Sequence, residues 1–277
     1  MNLEPLRVPE LLKQFNIRPQ KSLGQNFLMD HNALLKIVRD AGVGPGDQVL
    51  EIGAGLGGLT RVLAIAAKQV VAVELDPHLF PALASVTESF NNVRLIQGDV
   101  LEIWPGDLFP EGEFMVVANI PYYITSAVIR HLLELAIKPS RIVLTMQREV
   151  AERILNRDEK MSLLSLSVQV YGQARIASQI PAECFYPRPK VDSSVLIIDV
   201  YAKPMLSGEG MHWLFQLAHA AFNQKRKMLR SSLRSFLGGD AEVVSTILGK
   251  AGIDPGQRPE SLSLEDWIRL TEIVKDL

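Results

Sequence analysis

The chain carries one cysteine, Cys184, in 277 residues. A lone thiol excludes an internal disulfide framework and any cysteine-based zinc site, and it fits a reducing compartment. No run approaches the roughly 18 consecutive apolar residues of a membrane-spanning helix. The first residues hold an early acid, Glu4, and lack both a signal-type apolar core and an Arg/Ser-rich transit pattern. A cytoplasmic location is therefore expected. The five histidines show no metal-ligand spacing, so no metal is expected either. Internal repeats and low-complexity tracts are missing, as is any large excess of charge. At a net charge of −2 the molecule as a whole does not advertise a polyanionic partner.

What is present is ordinary for a globular enzyme: 47% hydrophobic and 22% charged residues, in a chain long enough for one large domain and an appendage. Charge is distributed unevenly, however. From Met211 to Gly239 there is no Asp or Glu, while Lys225, Arg226, Lys227, Arg230 and Arg234 fall within ten residues. That segment is a local basic patch.

Short β-branched runs recur at 48–54, 69–76, 92–99, 114–119 and 141–147. Each is too short for a helix and too apolar for a strand with one wet face, so parallel strands covered on both faces are expected. Helical spacing fills the gaps at 57–67 and 125–137. The alternation reads as an α/β, doubly wound sheet. Two further runs, 164–171 (LSLSVQVY) and 194–200, read as an antiparallel strand pair at one sheet edge. Beyond Pro204 the pattern turns helical, at 211–222, 224–237, 241–251 and 263–275. The expected domains are 1–203 and 204–277, with a loosely held helix and arm over the first 20 residues and a mobile loop around Met161.

The first strand runs into Glu51-Ile-Gly53-Ala-Gly55-Leu-Gly57-Gly58. Glycines there let the backbone turn tightly and let a ligand approach closer than a Cβ permits. Gly53, Gly55 and Gly58 also satisfy the dinucleotide GxGxxG spacing, and Glu74 lies where it would accept ribose hydroxyls. Two further acids move the expectation away from a pyrophosphate. Asp99 ends the third strand, suited to an adenine amino group, and Glu51 precedes the first glycine by two residues. Three carboxylates at successive strand ends suit a ligand with an ammonium, a sulfonium, a ribose and an amino-purine. S-adenosyl-L-methionine is expected in preference to NAD.

The fourth strand ends in Asn119-Ile120-Pro121-Tyr122. An exocyclic adenine amine is a poor nucleophile because its lone pair is delocalised into the ring. The Asn119 side-chain oxygen and the Ile120 carbonyl can each accept one N–H, drawing the nitrogen toward tetrahedral geometry. Pro121 fixes the turn and biases Ile120 to an extended conformation. Tyr122 would stack on the base, a contact of about 1–3 kcal/mol. Tyr123 is expected to pack.

EIGAGLG and NIPYY, together with Lys21-to-Leu28 (KSLGQNFL), Phe185-to-Ser193 (FYPRPKVDS) and Ala221-to-Lys227 (AFNQKRK), resemble the small-subunit ribosomal RNA adenine dimethyltransferases, over nearly the whole chain. The resemblance implies a Rossmann-like methyltransferase sheet followed by a small C-terminal all-helical domain. It also implies dimethylation of two adjacent adenines in the 3′-terminal hairpin of 16S rRNA, within the 30S subunit, late in its assembly. Asn26 and Leu28 would then cover the cofactor and join Glu51, Gly53, Gly55, Glu74, Asp99 and Asn119 as its binding set. Phe185 would oppose Tyr122 across the target base, and the basic patch would grip rRNA phosphates. A monomer without membrane or metal partners is expected. A 23S rRNA adenine methyltransferase, an NAD-dependent oxidoreductase and an assembly factor whose binding matters more than its catalysis stand as alternatives.

Overall fold

Val, Ile and Leu runs become strands where two covered faces await them. The computed structural model describes residues 3–110, 112–155, 160–224 and 226–277. Nine strands are found among these: β1 (Phe27–Leu28), β2 (Gln48–Ile52), β3 (Gln69–Glu74), β4 (Val93–Gln97), β5 (Phe114–Asn119), β6 (Arg141–Gln147), β7 (Gly172–Ile180), β8 (Phe185–Tyr186) and β9 (Ser193–Val200). Seven form one sheet in the order β4-β3-β2-β5-β6-β9-β7, and β1 pairs with β8 separately. β4 through β6 run parallel, with Leu50 beside Val71 on one flank and Val116 on the other. β9 is antiparallel to β6. The strand order reverses between β2 and β5, and in open α/β sheets that switch point opens a crevice at the carboxyl ends of the strands.

The described residues divide into two units, Met1–Ala151 with Ala174–Val200, and Glu152–Gln173 with Tyr201–Leu277. In the first, helices His31–Ala41 and Gly58–Ala66 lay Leu34, Ile37, Leu59 and Leu63 against Val49, Val70 and Val117 of the sheet. Asp30 caps the former helix by accepting the Ala33 N–H at 2.7 Å. The first 20 residues are not a loose arm. The helix Val8–Gln14 buries Val8 and Leu12 with Phe27, Leu56 and Leu79.

The second unit differs more from the sequence reading. Residues 164–171 are not a strand: Leu163–Tyr171 is a helix, opened by a capping box between Ser162 and Ser165. The alternation of LSLSVQVY misled because Ser165 and Ser167 are buried as helix residues, Ser167 donating to the Leu163 carbonyl at 2.8 Å. The edge strand is β7 instead, and β9 pairs with β6. Met161 is buried, and its N–H donates to the Glu260 carbonyl at 2.7 Å; of the loop expected around it, residues 156–159 lie outside the described residues.

The helix expected over 224–237 is broken into Leu229–Ser232 and Arg234–Leu237. The N–H groups of Leu229 and Arg230 donate to the Gln257 and Pro255 carbonyls, so the chain approaches Leu229 extended rather than helical. Long helices Gly208–Phe222, Ala241–Lys250 and Leu264–Lys275 complete this unit, with Trp267 fully buried and stacked on Phe222 at 5.5 Å between ring centroids.

Candidate active site

At the switch point the chain leaves β2 through Gly53 and Gly55, both left-handed at φ 72° and 59°. A Cβ on Gly53 would sit 3.6 Å from the Asn119 carbonyl oxygen, and one on Gly55 only 3.2 Å from the Phe27 ring. The glycines thus keep open a cradle between the ends of β2 and β5, beneath the β1 segment. Above it lies an open cleft. Asn26, Leu28, Glu51, Gly53, Gly55, Glu74, Asp99, Asn119, Ile120, Pro121, Tyr122 and Phe185 all line it. The structure therefore brings together every expected cofactor and base-contacting residue.

The three carboxylates are not equivalent. Glu51 is 1% exposed, and its Oε2 has no hydrogen-bond partner among the described residues. Burial pushes its carboxyl up to about 8; Thr60 offsets part of this and the Glu74 charge adds to it. Glu74 is also pushed up by burial, but its oxygens accept the Gly55 N–H at 2.7 Å and the Asp76 N–H at 2.9 Å. It holds the glycine turn in shape while keeping lone pairs for a ligand. Asp99 lines the cleft and accepts the Leu101 N–H through Oδ1 at 2.9 Å, while its Oδ2 bonds to no described residue.

This donor set fits S-adenosylmethionine. A buried carboxylate oxygen without a partner costs free energy unless something cationic or N–H-bearing meets it, and a ligand ammonium does so. Glu51 and Gly53 would hold the methionine part, Glu74 the ribose, and Asp99 the purine amine.

Next to Gly53 in the same cleft, the Asn119 carboxamide, half-buried at the end of β5, bonds to no described residue. Tyr122 is held by a 2.8 Å hydrogen bond between its hydroxyl and Ser193 Oγ, and burial pushes its phenol up, the Ser193 bond offsetting part. Asp192 accepts the Ala182 N–H at 3.0 Å. The Asp-Ser pair therefore fixes both the tyrosine and the loop that carries Phe185. Sequence reasoning reached this pair only as part of a resemblance and gave it no role. Phe185 is 2% exposed, its strand pairing opposite Leu28. It forms part of the cleft wall as a core residue rather than standing free as a stacking face. Tyr123 does not pack inward: it is 61% exposed, its ring edging Gly24.

Of the basic patch, Arg226, Lys227, Arg230 and Arg234 are exposed in the second unit, and Lys225 lies outside the described residues. No group of three or more His, Cys, Asp or Glu that could hold a metal is present among the described residues.

The pattern of the family described as ribosomal RNA adenine dimethylase matches residues 16–276. The chain belongs to that family. Among its relatives is the "Ribosomal RNA small subunit methyltransferase A" of Dehalococcoides mccartyi strain CBDB1, 40% identical over 94% of this chain and 90% of the relative. The protein of the same name from Moorella thermoacetica is 39% identical over 98% of both chains. The crystal structure of the 23S rRNA methyltransferase ErmE superposes with a TM-score of 0.72 at 28% identity, covering 90% of this chain and 99% of that one. A dimethyladenosine transferase from Plasmodium falciparum shares the fold at a TM-score of 0.74 and 24% identity, covering 88% of this chain and 95% of that one. This family member is thus a Rossmann-like, S-adenosylmethionine-dependent methyltransferase acting on ribosomal RNA adenine. No described helix is long and apolar enough to cross a membrane.

Proposed function

We propose that the protein dimethylates N6 of two adjacent adenines in the 3′-terminal hairpin of 16S rRNA, on the 30S particle in the cytoplasm. The observation that carries this reading is the unbonded Asn119 carboxamide lining the cleft, in a chain about 40% identical to small-subunit rRNA methyltransferases. S-adenosylmethionine supplies a methyl carbon made electrophilic by its cationic sulfur. Asn119 Oδ1 and the Ile120 carbonyl each accept one N–H of the adenine amine, which localises the nitrogen lone pair toward the cleft. Tyr122, its hydroxyl tied to Ser193, holds the base by its face, so positioning carries most of the rate. No strong general base is needed, because the alkylated ammonium loses its proton readily to water.

Arg226, Lys227, Arg230 and Arg234 contribute phosphate attraction from the helical unit. The test supplies the protein with unmethylated 30S subunits, bare 23S RNA and labelled cofactor. Paired N6-dimethyladenines in 16S rRNA support the proposal. Label confined to 23S RNA replaces it with the large-subunit reading that the ErmE likeness keeps in view.

A further inference from the structure

Residues 20–26 form one wall of the cleft through Leu23, Gly24, Gln25 and Asn26, yet none of the seven is buried. Their only regular structure is a single 3-10 turn, Lys21–Leu23. The wall's side-chain hydrogen bonds to the rest of the fold converge on one carboxylate. Asp76 is 4% exposed and lies behind the cleft rather than in it. Its Oδ2 accepts from Gln25 Nε2 at 2.7 Å and from Gln20 Nε2 at 3.1 Å, while Oδ1 accepts the His78 N–H at 3.0 Å. Gln25 Oε1 closes the ring by accepting the Gln20 N–H at 2.7 Å. The backbone N–H of Asp76 in turn donates to Glu74 at 2.9 Å. At its other side the wall meets the catalytic turn, where a Cβ on Gly24 would lie 3.1 Å from Pro121.

We propose that Asp76 is a positioning residue for the cofactor: through Gln20 and Gln25 it ties the 20–26 wall to the strand end that carries Glu74. The inference rests on the cleft being the S-adenosylmethionine site. No cation pairs with this carboxylate among the described residues; amide donors alone satisfy it. Two side chains more than fifty residues distant in sequence direct their donors to one oxygen, which a local turn would not require. A ligand entering the cleft then finds the wall already in place and does not meet the ordering cost itself.

The experiment titrates S-adenosylhomocysteine into the full-length protein and into Asp76→Asn, Gln20→Ala and the double variant Asp76→Asn/Gln25→Glu. It also follows hydrogen exchange of residues 20–26 in the ligand-free proteins. An asparagine at position 76 that turns its NH2 toward the two glutamine amides loses both of those bonds, and one that turns it toward the His78 N–H loses that bond, so at least one bond is lost in either orientation. Expected are an affinity weakened about tenfold in Asp76→Asn, a smaller loss in Gln20→Ala, and faster exchange across 20–26. The KM for S-adenosylmethionine rises accordingly, with kcat retained at saturation. In the double variant, the carboxylate introduced by Gln25→Glu gives the asparagine amide at position 76 an acceptor and still accepts the Gln20 N–H, so most of the affinity returns. If the unmodified protein binds the ligand and Asp76→Asn binds it equally well, the proposal is overturned. A loss in Asp76→Asn that Gln25→Glu leaves unrescued, with exchange accelerated throughout the first unit, overturns it too, because the role is then merely structural. If the unmodified protein does not bind the ligand, the cofactor assignment itself has failed.

Discussion

The two units handle charge in opposite ways. In the first, Glu51, Glu74 and Asp76 are drawn into a low-dielectric sheet edge, each less than 9% exposed. In the second, Arg226, Lys227, Arg230 and Arg234 stand in solvent on turns and short helices. Buried carboxylates are few, fixed and costly, and each meets its partners by geometry. Exposed cations are readily accommodated and adaptable, and they recognise a polyanion by number. The net charge of −2 conceals both because it sums over them.

The contrast breaks most readily at the reacting end of the sheet. Asn119→Ala is expected to lower kcat for 16S methylation by about 10²- to 10³-fold, the usual cost of deleting one transition-state acceptor or donor, while RNA binding persists. Methyl transfer in single turnover, beside filter binding of 30S subunits, measures the two separately. Unchanged methylation would remove Asn119 from the chemistry.

Gly55→Ala tests the cradle. At φ 59° and 3.2 Å from Phe27, the added methyl meets both backbone strain and a ring, together on the order of 1–2 kcal/mol. S-adenosylhomocysteine affinity should fall about tenfold by calorimetry, with RNA affinity intact.

Replacing Arg226, Lys227, Arg230 or Arg234 singly by alanine should do the reverse. RNA affinity drops a few-fold and the slope of log K against log salt shrinks by about 0.7–0.9 for each phosphate that is no longer neutralised. Cofactor binding is unaffected. A slope that does not move for any of the four would deny this unit its part in gripping RNA.

The smallest effect concerns pH. Because burial raises Glu51 from 4.5 to about 8, the folded protein binds more protons than the unfolded chain between those values. Stability of the ligand-free protein therefore falls as pH rises through that window and levels off above it, with Glu74 adding a contribution of the same sign. Thermal unfolding of Glu51→Gln should lose part of that decline, leaving the variant more stable by a few degrees at the alkaline end. Saturating S-adenosylmethionine should flatten the slope of the unmodified protein as well, since a ligand ammonium favours the ionised carboxylate.

Much of the first unit was legible because its signals are local and agree with one another. β-branched runs, glycine turns and strand-end acids each point to a parallel sheet with a ligand at its carboxyl edge. The helix Leu163–Tyr171 was not legible, since LSLSVQVY satisfies a strand period and only the Ser162 capping box and burial on nearly every side make it helical. The break before Leu229 was equally hidden, because it depends on carbonyls of the 255–257 loop.

By itself, the sequence determined the five parallel strands β2 to β6 and which chemistries stand at their ends, because periodicity and side-chain type are properties of neighbours along the chain. Tertiary structure alone decided that Glu51 is left without a partner, that Phe185 lies in the core, and that Asp76 gathers two glutamines from over fifty residues away. Burial and hydrogen-bond partnership depend on what the folded chain brings alongside, and separation in sequence carries no record of that.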